Sequence, residues 1–159
     1  MSNSNKEFSI RKMQWMLFLL GLVKIPMIGF IRPKLIEVNN KTVKVRIRLR
    51  RKTKNHLRSM YFGALAVGAD IAGGIHVFYF SEIKGVKTSF AFKGIKAEFL
   101  KRPETDVTFI CSEGKLIESL LEQSIQSKER INHPVQVIAM DTNNEVVATF
   151  EMVISLKVL

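Results

Sequence analysis

The sequence predicts an α+β domain in which a curved antiparallel sheet wraps one long central helix, with an extra helix ahead of it. Three observations carry this prediction. The first is "YFGALAVGADIAGGIHVFYF", residues 61–80, where Asp70 and His76 are the only side chains that take or carry charge near neutral pH. A proline-free, alanine-rich run that is apolar on every side is a helix buried all round. The second is "TVKVRIRLR", where Val43, Val45, Ile47 and Leu49 alternate with Lys44, Arg46, Arg48 and Arg50. Alternation with period two marks a half-buried strand, here with a wholly basic outer face. The third is a series of strand patterns after residue 86, separated by tight turns and one helical excursion. Strands joined so closely pair antiparallel, and their sheet must cover the buried helix.

In chain order, residues 1–9 are polar and loose. Residues 11–25 form a helix stopped by Pro26, and apolar residues resume at "MIGFI", so 11–31 make one N-terminal helical segment. Its run "WMLFLLGLV" falls short of the about 20 apolar residues that a spanning helix needs, and Lys24 and Pro26 interrupt it. No small-residue cleavage site follows, so the reading is a helix packed on the domain or on a bilayer surface, bordered by Lys12, Lys24 and Arg32. The strand "KLIEV" at 34–38 turns at Asn39-Asn40 into the basic-faced strand, and the central helix occupies 62–80. "VKTSFAFKGIKAEFL" is a long strand with a bulge or bend at Gly94, and "DVTFIC" is another after Pro103. Leu116, Leu120, Leu121 and Ile125 fall at helical spacing in "EGKLIESLLEQSIQSKER", an amphipathic surface helix. "PVQVIAMD" and "EVVATFEMVISLKVL" close the sheet as a hairpin around Thr142, Asn143 and Asn144.

A chain of 159 residues with 47% hydrophobic content supports one core, hence one domain over 1–159. The net charge of +11, from 25 basic against 14 acidic residues, asks for an anionic partner: nucleic acid, acidic lipid or a phosphorylated small molecule. The cations show no zinc-finger spacing, helix-turn-helix pattern or interleaved stacking aromatics, so nucleic acid is not the expected partner. The lone Cys111 excludes an internal disulfide and a multi-cysteine metal site, fits the cytoplasm, and reads as a buried inert thiol in "VTFIC". No metal site is expected. Asp70 is the residue that needs a reason, because a carboxylate taken out of water must be paired, neutralised or used.

The element order, together with "NHLRSMYFGAL", resembles the hotdog fold, and more narrowly a hotdog family of uncharacterised proteins close to the phenylacetate-type acyl-CoA thioesterases. The family pattern is Asn-His, two residues, a hydroxyl residue, one residue, usually His, one residue, then Gly-Ala and the helix, with an acid two turns in. Here these positions hold Asn55, His56, Ser59, Tyr61, Gly63, Ala64 and Asp70. The N-terminal helix ending near a proline and "EFLKRPETDVTF" extend the resemblance over nearly the whole chain. Two positions depart from it: Tyr61 replaces the usual His, and Arg58 stands where glycine is common. Both bear on substrate orientation rather than on the oxyanion site, which uses backbone.

The resemblance implies hydrolysis of an acyl-CoA or other acyl thioester by a homodimer or dimer of dimers whose sites are shared between protomers, with no cofactor beyond the coenzyme A of the substrate. It implies that the Phe62 N–H polarises the thioester carbonyl, with Gly63 allowing close approach, since a helix N-terminus offers unsatisfied donors and partial positive charge. Asp70, from the facing subunit or the same one, is then the general base or nucleophile, and Asn55 holds the water or the carbonyl. Ser59 or Tyr61 donates a hydrogen bond, with His56 and Arg58 beside the substrate. Blander roles compete. Asp70 can pair with Arg58 or cap a backbone group at the dimer seam; His56 and His76 read as hydrogen-bonded structural residues, and Tyr61 as a packed aromatic. The Lys44 to Arg50 face is ordinarily solvated, though a diphosphate would suit it. A noncatalytic hotdog that binds acyl groups or lipid through its N-terminal helix and basic face is the alternative, and fold alone does not choose.

Overall fold

Ser9 opens the first helix by accepting a hydrogen bond from the Arg11 N–H at 3.3 Å. The structure, a computed structural model, describes residues 9–159. Helix α1 (Ile10–Leu19) continues through one π-helical turn (Leu20–Lys24). Pro26 does more than stop it. It occupies the first turn of α2 (Pro26–Ile31), where a missing N–H costs nothing, so the chain reverses into a helical hairpin. The two arms meet backbone to backbone: a Cβ on Gly21 would lie 2.6 Å from Gly29 N, and one on Gly29 would lie 2.6 Å from Gly21 O. Gln14 ties the hairpin to the sheet by accepting from Leu35 N at 2.6 Å.

Six strands follow, all paired antiparallel: β1 (Lys34–Val38), β2 (Val43–Ile47), β3 (Thr88–Phe99), β4 (Val107–Cys111), β5 (Ile131–Met140) and β6 (Val146–Val158). Their order in the sheet is β1-β2-β4-β5-β6-β3. The expected irregularity in β3 is a register shift between Phe92 and Gly94 against β6. As the alternation requires, Val43, Val45 and Ile47 are fully buried while Lys44 and Arg46 are only partly so.

The central helix α3 (Phe62–Lys84) runs four residues beyond the expected 62–80 and ends on Gly85 at φ 64, a left-handed cap that glycine adopts freely. By length and composition it could cross a membrane, but 67% of its most apolar stretch is buried in the domain. Gly68 seats a ring of the sheet: a Cβ there would lie 2.3 Å from the Phe109 ring. Gly73 and Gly74 likewise face Phe92 and Phe90. The small residues of "GADIAGG" thus admit this chain's own aromatics. His76 is fully buried, its Nε2 donating to Asn39 O at 3.0 Å, its Nδ1 without a partner among the described residues, and burial pushes its pKa down to about 4. Cys111 is also sealed in, its thiol pushed up to about 11 by burial.

Helix α4 (Gly114–Ser127) is amphipathic as expected but turned slightly. Its covered stripe is Ile117, Leu120, Leu121 and Ser124, whereas Ile125 is 40% exposed. The Ser124 hydroxyl donates to Glu129 O at 2.7 Å and accepts from Val158 N at 3.0 Å. A satisfied hydroxyl belongs in a buried stripe, and a purely hydrophobic reading passes over it. The sheet curves around α3, which is the hotdog arrangement.

Candidate active site

The loop before α3 is built by side chains that fold back on their own backbone. Asn55 Oδ1 accepts from Leu57 N at 2.9 Å, Ser59 N at 3.2 Å and Ser59 Oγ at 3.1 Å. Lys54 and Met60 form a bridge across the loop. Arg58 sits at φ 63, a left-handed conformation that glycine adopts without strain. That explains why glycine suits this position. The hydrogen bonds also reassign roles: Asn55 keeps only its Nδ2 amide as a donor for a ligand, and the Ser59 hydroxyl, 2% exposed, is engaged within the loop. His56 and Arg58 stand exposed at its tip.

Tyr61 is the N-cap of α3, yet no side chain caps the helix. Ala64 and Leu65 donate to Tyr61 O, at 2.9 and 3.2 Å, leaving the N–H groups of Phe62 and Gly63 without an acceptor among the described residues. Such a pair is a ready oxyanion cradle. The Tyr61 ring packs against Gly63, where a Cβ would lie 2.4 Å from Tyr61 Cε1. Loop and helix start line a shallow cavity of about 450 Å³ with Asn55, His56, Tyr61, Phe62, Lys101 and Arg102. The sequence marked the first four of these, while Lys101 and Arg102 arrive from the end of β3 by tertiary contact alone. Lys101 ion-pairs with Asp141 at 3.4 Å and with Glu145, and Arg102 is exposed.

Asp70 lies two turns into α3, half-buried, with no hydrogen bond or ion pair among the described residues. Burial alone pushes its pKa above the ordinary carboxylate value of 3.8. The pairing with Arg58 does not occur. The carboxylate borders two cavities. One, of about 710 Å³, lies under the N-terminal hairpin among Leu17, Leu20, Ile28, Ile75, Phe78 and Phe90. The other, of about 420 Å³, follows β3 past Lys93, Gly94 and Ile95. None of the basic outer-face residues Lys44, Arg46, Arg48 and Arg50 lines any of these three cavities.

The structure therefore separates the donors from the acid. At 1.5 Å per residue, Phe62 and Asp70 are about 12 Å apart along the helix axis, too far to act on one carbonyl. Among the described residues no three His, Cys, Asp or Glu side chains gather as metal ligands.

An antiparallel sheet wrapped on a long central helix defines a protein of the hotdog class. The chain belongs to the family described as Domain of unknown function (DUF4442), which it matches over residues 14–158. No curated protein matches it. Among solved structures, a protein of unknown function from Chlorobaculum tepidum is similar at TM-score 0.80 and 11% identity, over 94% of this chain and 96% of that one. A candidate thioesterase from Shewanella oneidensis is similar at TM-score 0.79 and 12% identity, over 92% and 99%. A thioesterase from Haemophilus influenzae is similar at TM-score 0.66 and 12% identity, over 97% and 94%. At these identities the likeness is one of fold.

Proposed function

We propose that the protein is a cytoplasmic acyl-CoA thioesterase working as a homodimer, in which Asp70 of one copy serves the Phe62 and Gly63 N–H groups of the other. The observation that carries this reading is the unpaired Asp70 carboxylate bordering an apolar cavity, at about 12 Å from the donors of its own chain. Strand β3 supplies a route to the second copy. It is a twelve-residue edge strand, with Ile95 at 55% and Phe99 at 52% exposure. Proteins rarely leave such an edge unpaired. The resemblance to phenylacetate-type thioesterases and the names of the Shewanella and Haemophilus neighbours support the reaction class.

In this mechanism the acyl chain occupies the cavity under the hairpin, and the coenzyme A phosphates meet His56, Arg58, Lys101 and Arg102. The Asp70 carboxylate takes a proton from water, whose oxygen attacks the thioester carbon. The Phe62 and Gly63 N–H groups, with Asn55 Nδ2 beside them, hold the oxyanion. The C–S bond then breaks, the thiolate takes the proton from Asp70, and the carboxylic acid and free coenzyme A leave. Direct attack by the carboxylate, followed by hydrolysis of the anhydride, uses the same residues. The Tyr61 phenol stands where the family's His would orient the substrate.

Thiol release from a panel of acyl-CoAs tests the proposal. Asp70→Asn is expected to keep the fold and to lower turnover by about 10² to 10⁴. The wild-type rate should fall as pH drops through a value above 3.8, following the raised pKa. A folded Asp70→Asn protein with wild-type turnover would exclude the assignment. One observation favours the noncatalytic alternative, an acyl- or lipid-binding hotdog: the Tyr61 ring crowds Gly63 at the helix start, where a Cβ would lie 2.4 Å from it. Wild-type protein inert toward every acyl-CoA would select it.

A further inference from the structure

The N-terminal hairpin is apolar on both sides, and the domain covers only one. Met13, Leu17, Ile28 and Ile31, each at most 6% exposed, face inward. Outward stand Trp15 at 59%, Phe18 at 53%, Leu22 at 64%, Met27 at 58% and Phe30 at 49%. Trp15 and Phe18 stack on one another with centroids 5.4 Å apart. A soluble surface rarely groups so many large apolar side chains without something to cover them.

Charge says what covers them. Between Glu7 and Glu37 the chain carries no carboxylate and five cations: Arg11, Lys12, Lys24, Arg32 and Lys34. All five are exposed; Lys12 reaches Glu82 at 3.1 Å. Lys52 adds a sixth cation, its Nζ 4.8 Å from the Phe30 ring centroid. A second copy docking on this face like-to-like would bring two such cation sets together with no acid in the segment to offset them, which disfavours self-association there. An anionic bilayer answers both features at once. Its acyl boundary accepts the aromatic and aliphatic residues, and its headgroups accept the cations around them.

We propose that the outer face of this hairpin seats the protein on an anionic membrane surface, without spanning it. The fifteen residues from Ile10 to Lys24, ten in α1 and five in the π turn, reach about 22 Å, short of the about 30 Å hydrocarbon core. The Gly21–Gly29 crossing holds the two arms together as one preformed wedge. The inner face of the same wedge lines the cavity that Asp70 borders, with Val23 and Lys24 at its rim, so the docked surface backs onto that cavity. The proposal does not depend on turnover of any thioester.

Trp15 is the only tryptophan of the chain, so its emission reads this face directly. The full-length protein is mixed with vesicles of phosphatidylcholine and phosphatidylglycerol in equal parts, or of phosphatidylcholine alone. With the anionic vesicles, Trp15 emission is expected to shift to the blue, to be quenched by brominated acyl chains, and to accompany co-sedimentation at least about tenfold stronger than with the neutral ones. The exposed-site double variant Leu22→Asp, Met27→Asp should keep its melting temperature and lose about tenfold or more of that partitioning. Unchanged emission with no co-sedimentation would overturn the proposal, and so would equal binding to both vesicle types. A lipid-free protein whose Trp15 already emits in the blue, in an oligomer that the double variant dissociates, would assign the face to a second copy instead.

Discussion

Asp70 and His76 lie on the same helix, and burial acts on both, with opposite consequences. It raises the pKa of Asp70 and lowers that of His76 to about 4, since in each case it disfavours the charged form. For His76 the unfolded chain, with its ordinary value of 6.5, takes up a proton first as pH falls. Stability is therefore intact above 6.5 and declines down to about 4, a loss of about 3 kcal/mol from this group. Asp70 opposes it, because burial raises its folded-state pKa and there the folded state takes up the proton first. Urea midpoints measured between about pH 7 and pH 4 should fall, and His76→Gln should flatten that slope. An unchanged slope in the variant would move the effect to other groups. The same residue scale explains Arg58, whose φ of 63 shows a backbone position built for glycine and filled by a cation at the tip of the candidate site.

At the scale of elements, α3 is held by what it lacks. Gly68 leaves room for the fully buried Phe109 ring. Gly68→Ala gains about 1 kcal/mol of helix propensity, but its Cβ would stand 2.3 Å from a ring that has nowhere to swing, and overpacking costs about 1 to 3 kcal/mol. The clash should win, lowering the thermal midpoint by several degrees; a raised midpoint would show that the ring is not seated there. The N-terminal hairpin behaves differently. Its first helix and the stop at Pro26 were legible from hydrophobic spacing, but the second helix starting at that proline was not, and the reversal depends on Gly21 meeting Gly29, a contact that no local pattern connects.

The whole molecule decides whether the acid and the donors ever meet. In the proposed dimer each site takes Asp70 from one copy and the helix start from the other, which makes a complementation experiment decisive. Asp70→Asn and Gly63→Val homodimers should each be inactive. Mixed after unfolding and refolding, they form heterodimers in which one site carries both lesions and the other carries none, restoring about a quarter of wild-type turnover. Sites contained within one chain would show no recovery.

Strand positions, the buried helix and the suspicion attached to Asp70 were all readable in the sequence, because period-two and helical spacing are local and a carboxylate in an apolar run is costly wherever it falls. The turn of α4 was less readable, since Ser124 earns its buried place through bonds to Glu129 and Val158 rather than through hydrophobicity. Only the structure showed that Asn55 Oδ1 and the Ser59 hydroxyl close their own loop, and tertiary packing alone decided that Lys101 and Arg102 join it and that the hairpin roofs a cavity ending at Asp70. The Asn55–Ser59 bonds span only four residues yet follow no hydrophobic period, and the cavity walls come from segments tens of residues apart. Their meeting is a property of the packed sheet and helix, which no window along the chain contains.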